Sequence, residues 1–316
     1  MPELAFFNKQ IMPLSEAKVG IMTHALNYGT ACFEGIRGNW NSEQGQMFLF
    51  RLREHYQRML KSCHILKIKL PYSADQLSDI TVELVEKNGH QEDIYVRPLA
   101  YKSTQAVGVR LHNLEDDFFI FVIPFGPYLD TEKGARCCVS SWRRIDDNMI
   151  PPRAKVTGLY VNSALAKTEA WENGYDEAIL LTQDGHVSEG SGENIFIAID
   201  GKLLTPPPSD NILKGITRDT VVKIAHNELG IDIVERPIDR SELYIADECF
   251  MTGTAANVTP VIEVDHRSVG DGKVGEITKR IQKLYHDAIR GNNSKYLGWC
   301  TPAYGNKVTA KNKPRK

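Results

Sequence analysis

Lys155 stands in the run Pro151-Pro-Arg-Ala-Lys-Val-Thr-Gly-Leu-Tyr160, between a strand expected at 139–143 and a helix expected from about Gly158. An amine at the end of an element can project into a cleft. It becomes a Schiff-base nucleophile when burial or a neighbouring cation depresses its pKa. Arg143, Arg144 and Arg153 are the cations nearby in sequence. Read alone, the same lysine is an ordinary solvated charge beside a helix start.

Three further segments carry usable chemistry. In Ser188-Glu-Gly-Ser-Gly-Glu-Asn194, two glycines flank a serine between two carboxylates. Glu189 there could hold a proton on a pyridine nitrogen, because an adjacent carboxylate raises that nitrogen's pKa, and the glycines would let backbone approach a flat ring. An acidic surface turn is the plainer reading. Leu213-Lys-Gly-Ile-Thr-Arg218 runs into a helix, so the amides of Ile216 and Thr217 would sit at an N-terminus suited to an anion. Thr217 is equally a helix N-cap by type. Thr252-Gly-Thr-Ala-Ala256 is a small-residue turn whose amides could cradle a phosphate or carboxylate. Finally, Tyr95 and Arg97 in Tyr-Val-Arg-Pro98 fall on one face of a strand. A phenol beside a guanidinium suits a carboxylate, and a structural ion pair fits equally well.

The elements that must position these residues are legible from periodicity. Tyr56, Met59, Leu60, Cys63 and Leu66 recur at helical spacing over 53–66, and Leu77, Ile80, Leu84 and Val85 do so over 74–87. Residues 94–101 and 118–124 read as strands. Two prolines and two glycines in 124–134 mark a linker. Beyond it, strands at 178–182 and 194–199 are followed by Asp184-Gly185 and Asp200-Gly201, a dipeptide favoured in tight hairpin turns. Helices are expected over 158–173 and 218–229, ending at Gly174 and Gly230, and a short one at Asp239, which has capping-box spacing to Glu242. The first part is thus a smaller α/β domain over 1–124, joined through 125–133 to a larger domain over 134–300. That second domain reads as a compact, mostly antiparallel, barrel-like sheet with helices packed on it.

With 316 residues the chain can bury two cores, and its 42% hydrophobic and 25% charged residues are those of a globular protein. A net charge of −2 gives no field that would collect nucleic acid or an anionic membrane. The segment 301–316 is basic, with Lys307, Lys311, Lys313, Arg315 and Lys316, and reads as a solvated tail in preference to a nucleic-acid arm. No apolar run has the length of a membrane span, and the first residues lack a signal-peptide pattern. Six cysteines without a C-x-x-C pair suit the reducing cytoplasm and no structural zinc.

Taken together, the segments resemble the branched-chain amino-acid aminotransferases, enzymes of pyridoxal-phosphate fold type IV with an α+β fold. The matching runs are HALNYGTACFEGIR (24–37), REHYQRM (53–59), YVRP (95–98), Ala154-Lys155 with Tyr160, SEGSGEN (188–194), GITRD (215–219) and DECFMTGTAANVTP (247–260), and they span about Phe7 to Trp299. The resemblance implies pyridoxal 5′-phosphate, bound covalently by Lys155, with Glu189 on the ring nitrogen and Tyr160 on the ring hydroxyl. It implies Arg58, Ile216, Thr217 and Thr254 on the phosphate. It places the substrate α-carboxylate at Tyr95 and the Thr254-Ala255 amides, the distal carboxylate of glutamate at Arg97, and the apolar side chain against Phe33, Tyr28 and Tyr128. It implies at least a homodimer, with residues borrowed across subunits.

Arg110 and His112 fall where such enzymes carry a specificity loop between subunits; a charge there either adds a second carboxylate grip, widens the substrate range, or is solvated. The activity implied is transamination of leucine, isoleucine and valine with 2-oxoglutarate. A D-amino-acid or (R)-amine aminotransferase, or an aminodeoxychorismate lyase, shares the fold and differs in the pocket. A non-catalytic scaffold would have lost the lysine or its ring partner, and both are present.

Overall fold

The computed structural model describes residues 3–126 and 128–305. The basic cluster from Lys307 to Lys316, expected to be a solvated tail, lies outside the described residues.

Two sheets form the frame. The first runs Cys300–Pro302, Gln46–Phe50, Ile36–Asn41, Ile94–Lys102, Asp116–Pro124, Leu4–Phe7, Gln10–Pro13, and Ala31–Phe33 pairs beside it with Ile94–Lys102. Its pairings are antiparallel. The helices Leu52–Ile65 and Ala74–Asn88 take the places expected for them and bury their periodic faces. Tyr56, Met59, Leu77 and Leu84 pack in one core with Val96 and Ile120. The second helix starts with a capping box that periodicity alone did not reveal: the Gln76 amide donates to Ser73 Oγ, and the Ser73 amide donates to Gln76 Oε1. The strand Cys300–Pro302 joins this first sheet beside Gln46–Phe50, at the edge opposite Gln10–Pro13, so Thr301 and Pro302, expected in the tail, are strand residues.

The second sheet runs Val187–Gly190, Glu177–Leu181, Ala135–Arg143, Asn257–Val264, Glu248–Gly253, Asn194–Ile199, Lys202–Thr205, Ile233–Glu235. It is mixed: Ala135–Arg143 lies parallel to both of its neighbours, and Lys202–Thr205 lies parallel to Ile233–Glu235. The first of these follows from connectivity. Parallel neighbours need a crossover, and the helix Tyr160–Glu172 supplies it between Ala135–Arg143 and Glu177–Leu181. The hairpin signal at Asp200-Gly201 is realised, with φ positive at both residues, as a type I′ turn requires. Val187 N donates to Ile238 O at 2.8 Å and His186 bridges Asp239, just past the opposite edge strand. The sheet therefore curls until its edges nearly meet.

The helix expected over 158–173 begins as a 3-10 turn at Thr157–Leu159 and continues as Tyr160–Glu172. The next long helix is Ile216–Leu229, and its N-cap is Gly215 rather than Thr217. Gly174 and Gly230 have positive φ at the helix ends, as their type suggests.

Candidate active site

Between the two sheets lies a cavity of about 560 Å³. Lys155 reaches it for a packing reason. Ala154 and Val156 are buried in the core of the first sheet, so in the extended segment between them the Lys155 side chain turns away from that core. The segment is pinned on both sides: Phe33 N donates to Lys155 O at 3.0 Å, and Lys155 N donates to Ser62 Oγ at 3.2 Å. Lys155 Nζ donates to Tyr160 Oη at 2.6 Å and stands 5.1 Å from the centre of the Phe33 ring.

Arg58 also lines the cavity, and its orientation is fixed from below. Its Nε and Nη2 donate to the two oxygens of Glu34 at 2.7 Å each, and Nη1 donates to Lys214 O at 2.9 Å. Glu34 is wholly buried and has a second partner, His55 Nδ1, at 2.8 Å. Burial pushes the Glu34 carboxyl up, but the Arg58 charge with the hydrogen bonds of Arg58 and His55 outweighs it and holds the group at about 2. Burial also lowers His55, against the pull of Glu34. Both residues were missed in the sequence. Glu34 sits in Cys-Phe-Glu-Gly-Ile, and a charge inside an apolar run signals a buried partner.

Glu189 is buried between three donors. Arg144 Nη2 lies 2.6 Å from one oxygen, and Asn194 Nδ2 and Leu213 N donate to the other at 2.9 and 3.1 Å. Burial raises its pKa, and Arg144 and the Leu213 amide pull it back in part. Arg144 therefore serves Glu189, while Arg153 faces Asp147 at 3.9 Å. The cations considered for Lys155 are engaged in these ways, except Arg143, which is exposed.

The helix Ile216–Leu229 opens onto the cavity at Gly215, Ile216 and Thr217, with no side chain capping its first amides. Those amides, Arg58 and the Thr252–Ala255 turn form a set of donors suited to a phosphate and a carboxylate. Arg37, also missed, ties this turn to the chain that follows the first sheet: its Nη1 donates to Ala255 O at 3.1 Å and its Nη2 to Phe125 O at 3.2 Å.

The expected pairing of Tyr95 with Arg97 is direct, since Arg97 Nη2 donates to Tyr95 Oη at 2.9 Å. The Arg97 guanidinium carbon lies 4.3 Å from the centre of the Phe33 ring. Gly35 makes room for them, because a Cβ there would fall 2.1 Å from Tyr95 Oη. Phe33 and Tyr128 line the same cavity. Tyr28 and Arg110 do not line it. The Tyr28 hydroxyl accepts from Gly108 N at 3.0 Å, and Arg110 folds over Gly108. Among the described residues no cluster of His, Cys, Asp and Glu has the makings of a metal centre, and no helix is long and apolar enough to cross a membrane.

The family model for class IV aminotransferases matches residues 31–264. A probable branched-chain-amino-acid aminotransferase of Aquifex aeolicus is 52% identical over 96% of this chain and 97% of its own. The branched-chain aminotransferase of Thermoproteus uzoniensis, solved with norvaline, superposes with a TM-score of 0.92 at 46% identity, covering 96% of this chain and 100% of that one. The branched-chain amino acid aminotransferase of Thermobaculum terrenum, solved in its PLP form, gives a TM-score of 0.91 at 37% identity, covering 96% of this chain and 98% of that one. The chain belongs to the class IV aminotransferases of fold type IV, and within them to the branched-chain amino-acid aminotransferases.

Proposed function

We propose that this enzyme moves the amino group of leucine, isoleucine or valine to 2-oxoglutarate in two half-reactions, a ping-pong sequence carried by Lys155. The observation that carries the reading is the placing of Lys155 Nζ, 2.6 Å from Tyr160 Oη, in one cavity with the Tyr95–Arg97 pair. Pyridoxal phosphate, the cofactor of this family, supplies when bound a carbonyl to take the amino group and a ring to withdraw electrons. The donor set fits it: uncapped helix amides with Arg58 for the phosphate, and a buried carboxylate, Glu189, for the ring nitrogen.

Each residue has a physical task in this reading. Lys155 Nζ would hold the cofactor and would move the proton to and from the substrate α-carbon. Tyr160 orients that amine and would hydrogen-bond the ring hydroxyl. Arg58, held rigid by Glu34, joins Ile216, Thr217 and Thr254 on the phosphate. Arg144 holds Glu189 in place and tempers its charge. Tyr95 with the amides of Thr254 and Ala255 takes the α-carboxylate, and Arg97 takes the distal carboxylate of glutamate. Phe33 and Tyr128 face the apolar side chain of leucine.

Tyr28 and Arg110 lie together away from their own cavity, beside exposed Ile21, Val107 and Val109. We read them as completing the cavity of a second copy, so the working form is at least a homodimer. We divide the chain into domains at 1–124 and 134–300, joined by 125–133; the two sheets support this, and among the described residues only the strand Cys300–Pro302 crosses back. Six unpaired cysteines fit the cytoplasm as its compartment. Holoenzyme given L-leucine and 2-oxoglutarate should release L-glutamate. Turnover of D-amino acids or (R)-amines in place of L-leucine would move the enzyme to the other branch of the fold.

A further inference from the structure

The motif Ser188–Asn194 holds two carboxylates, and the reaction uses only Glu189. The other, Glu193, is buried in the cavity wall. Its side chain fills the space left by two glycines. A Cβ on Gly190 would lie 2.9 Å from Glu193 Oε2, and one on Gly253 would lie 3.3 Å from Glu193 Cγ. Glu193 therefore sits directly beneath the Thr252–Ala255 turn.

The charges around it do not balance. Glu177, wholly buried on the neighbouring strand, pairs with Lys167 of the helix Tyr160–Glu172 at 2.6 Å. Lys167 also donates to Asp176 O and stands 5.5 Å from the centre of the Tyr128 ring. The Glu193 carboxyl accepts one hydrogen bond among the described residues, from Gly192 N at 3.0 Å, and has no cation paired with it. Tyr128, Glu189 of the same hairpin, and Cys137 on the strand Ala135–Arg143 also lie near it and supply no positive charge. The cations that share the cavity wall are engaged elsewhere: Lys155 with Tyr160, Arg58 with Glu34, Arg97 with Tyr95 and Arg144 with Glu189. Burial first, and then the Glu177 charge, push Glu193 up to about 8, against the Gly192 amide and Lys167.

We propose that Glu193 works as a neutral carboxylic acid beneath the turn that receives the substrate carboxylate, and that loss of its proton is what ends ligand binding on the alkaline side. The inference rests on the transaminase reading for the place of the ligand carboxylate. Electrostatics supply the link: a buried negative charge under the turn repels the anion the turn must hold, so ligand and proton favour each other. The arrangement also explains why a buried acid is tolerated here, since a carboxyl that keeps its proton avoids the cost of an unpaired charge.

The test uses holoenzyme and 4-methylvalerate, a carboxylate shaped like leucine without its amine. Its dissociation constant should rise about tenfold from about pH 7 to about pH 9, as expected of a ligand linked to one proton with a midpoint near 8. Glu193→Gln should flatten that rise, after correction for the cofactor's own absorbance titration in both proteins. Glu177→Gln, which removes the neighbouring negative charge, should move the midpoint to lower pH. Infrared difference spectra between the two pH values should show a carboxylic-acid carbonyl band lost on ionisation, absent from Glu193→Gln. A band that is missing from wild type, or a pH slope equal in wild type and Glu193→Gln, overturns the proposal. Failure of 4-methylvalerate to bind wild type at any pH, with the infrared band present, overturns instead the transaminase reading and the ligand link built on it.

Discussion

Glu34 and Arg58 provide the sharpest energetic prediction. Glu34 is wholly buried, its two oxygens receive Arg58 Nε and Nη2 at 2.7 Å each, and His55 adds a third contact. Moving a carboxyl from 4.5 to about 2, with burial opposing and Arg58 and His55 prevailing, corresponds to about 3 kcal/mol of folding stability. Because the folded value lies below the unfolded one, this contribution is complete above about pH 4.5 and is lost as pH falls through about 2. His55, lowered by burial, begins the acid loss earlier, below its unfolded value of 6.5. Breaking such a pair from one side costs about 3–5 kcal/mol, because the partner charge is left buried.

The experiment is a double-mutant cycle by urea unfolding of the apoprotein at neutral pH and fixed protein concentration, using Glu34→Gln, Arg58→Met and the double variant. The account expects each single variant to lose about 3 kcal/mol or more, and the double variant to lose far less than their sum. Additivity within about 0.5 kcal/mol would refute it and make Arg58 independent of Glu34.

Arg97→Leu should raise the KM for glutamate and 2-oxoglutarate about ten- to a hundredfold, the worth of a charge-assisted hydrogen bond, and move leucine much less. If Arg110→Ala alone discriminates against glutamate in the parallel assay, the distal carboxylate is read by the loop. Glu189→Gln should slow the single-turnover half-reaction with leucine by on the order of a hundredfold while changing leucine binding little. A normal rate would place the ring's partner elsewhere. Gly35→Ala drives a Cβ into Tyr95 Oη, so leucine and glutamate should both bind more weakly, each by the roughly 1–3 kcal/mol of an overpacked site. Loss confined to glutamate would show that Tyr95 does not hold the shared α-carboxylate.

What the sequence disclosed was local or motif-borne. Helix periods over 53–66 and 74–87, the Asp200-Gly201 turn and the shared face of Tyr95 and Arg97 all depend on neighbours within a few residues, and the structure keeps them. Lys155 became legible only through the assembly of motifs around it. What stayed hidden depends on contacts that spacing does not encode. Glu34 meets Arg58 because Ala31–Phe33 pairs with Ile94–Lys102 under the helix Leu52–Ile65. Arg144 meets Glu189 two strands away in the second sheet, and Arg37 of the first sheet meets Ala255 beside the second. The parallel pairings were hidden for the same reason, since strand order is set by the crossover helix and not by the strands' own composition. The capping assignment at Thr217 failed more simply: Gly215 already takes the extended backbone of a cap, which leaves Thr217 inside the first turn.

The central claim is that Lys155 is the amine that holds the cofactor. Borohydride reduction of the pyridoxal-phosphate holoenzyme, followed by protease digestion and mass spectrometry of the labelled peptides, tests it most directly. The account predicts a single reduced phosphopyridoxyl adduct on Lys155, lost in Lys155→Ala. An adduct mapped to Lys167, Lys214 or any other lysine would contradict it.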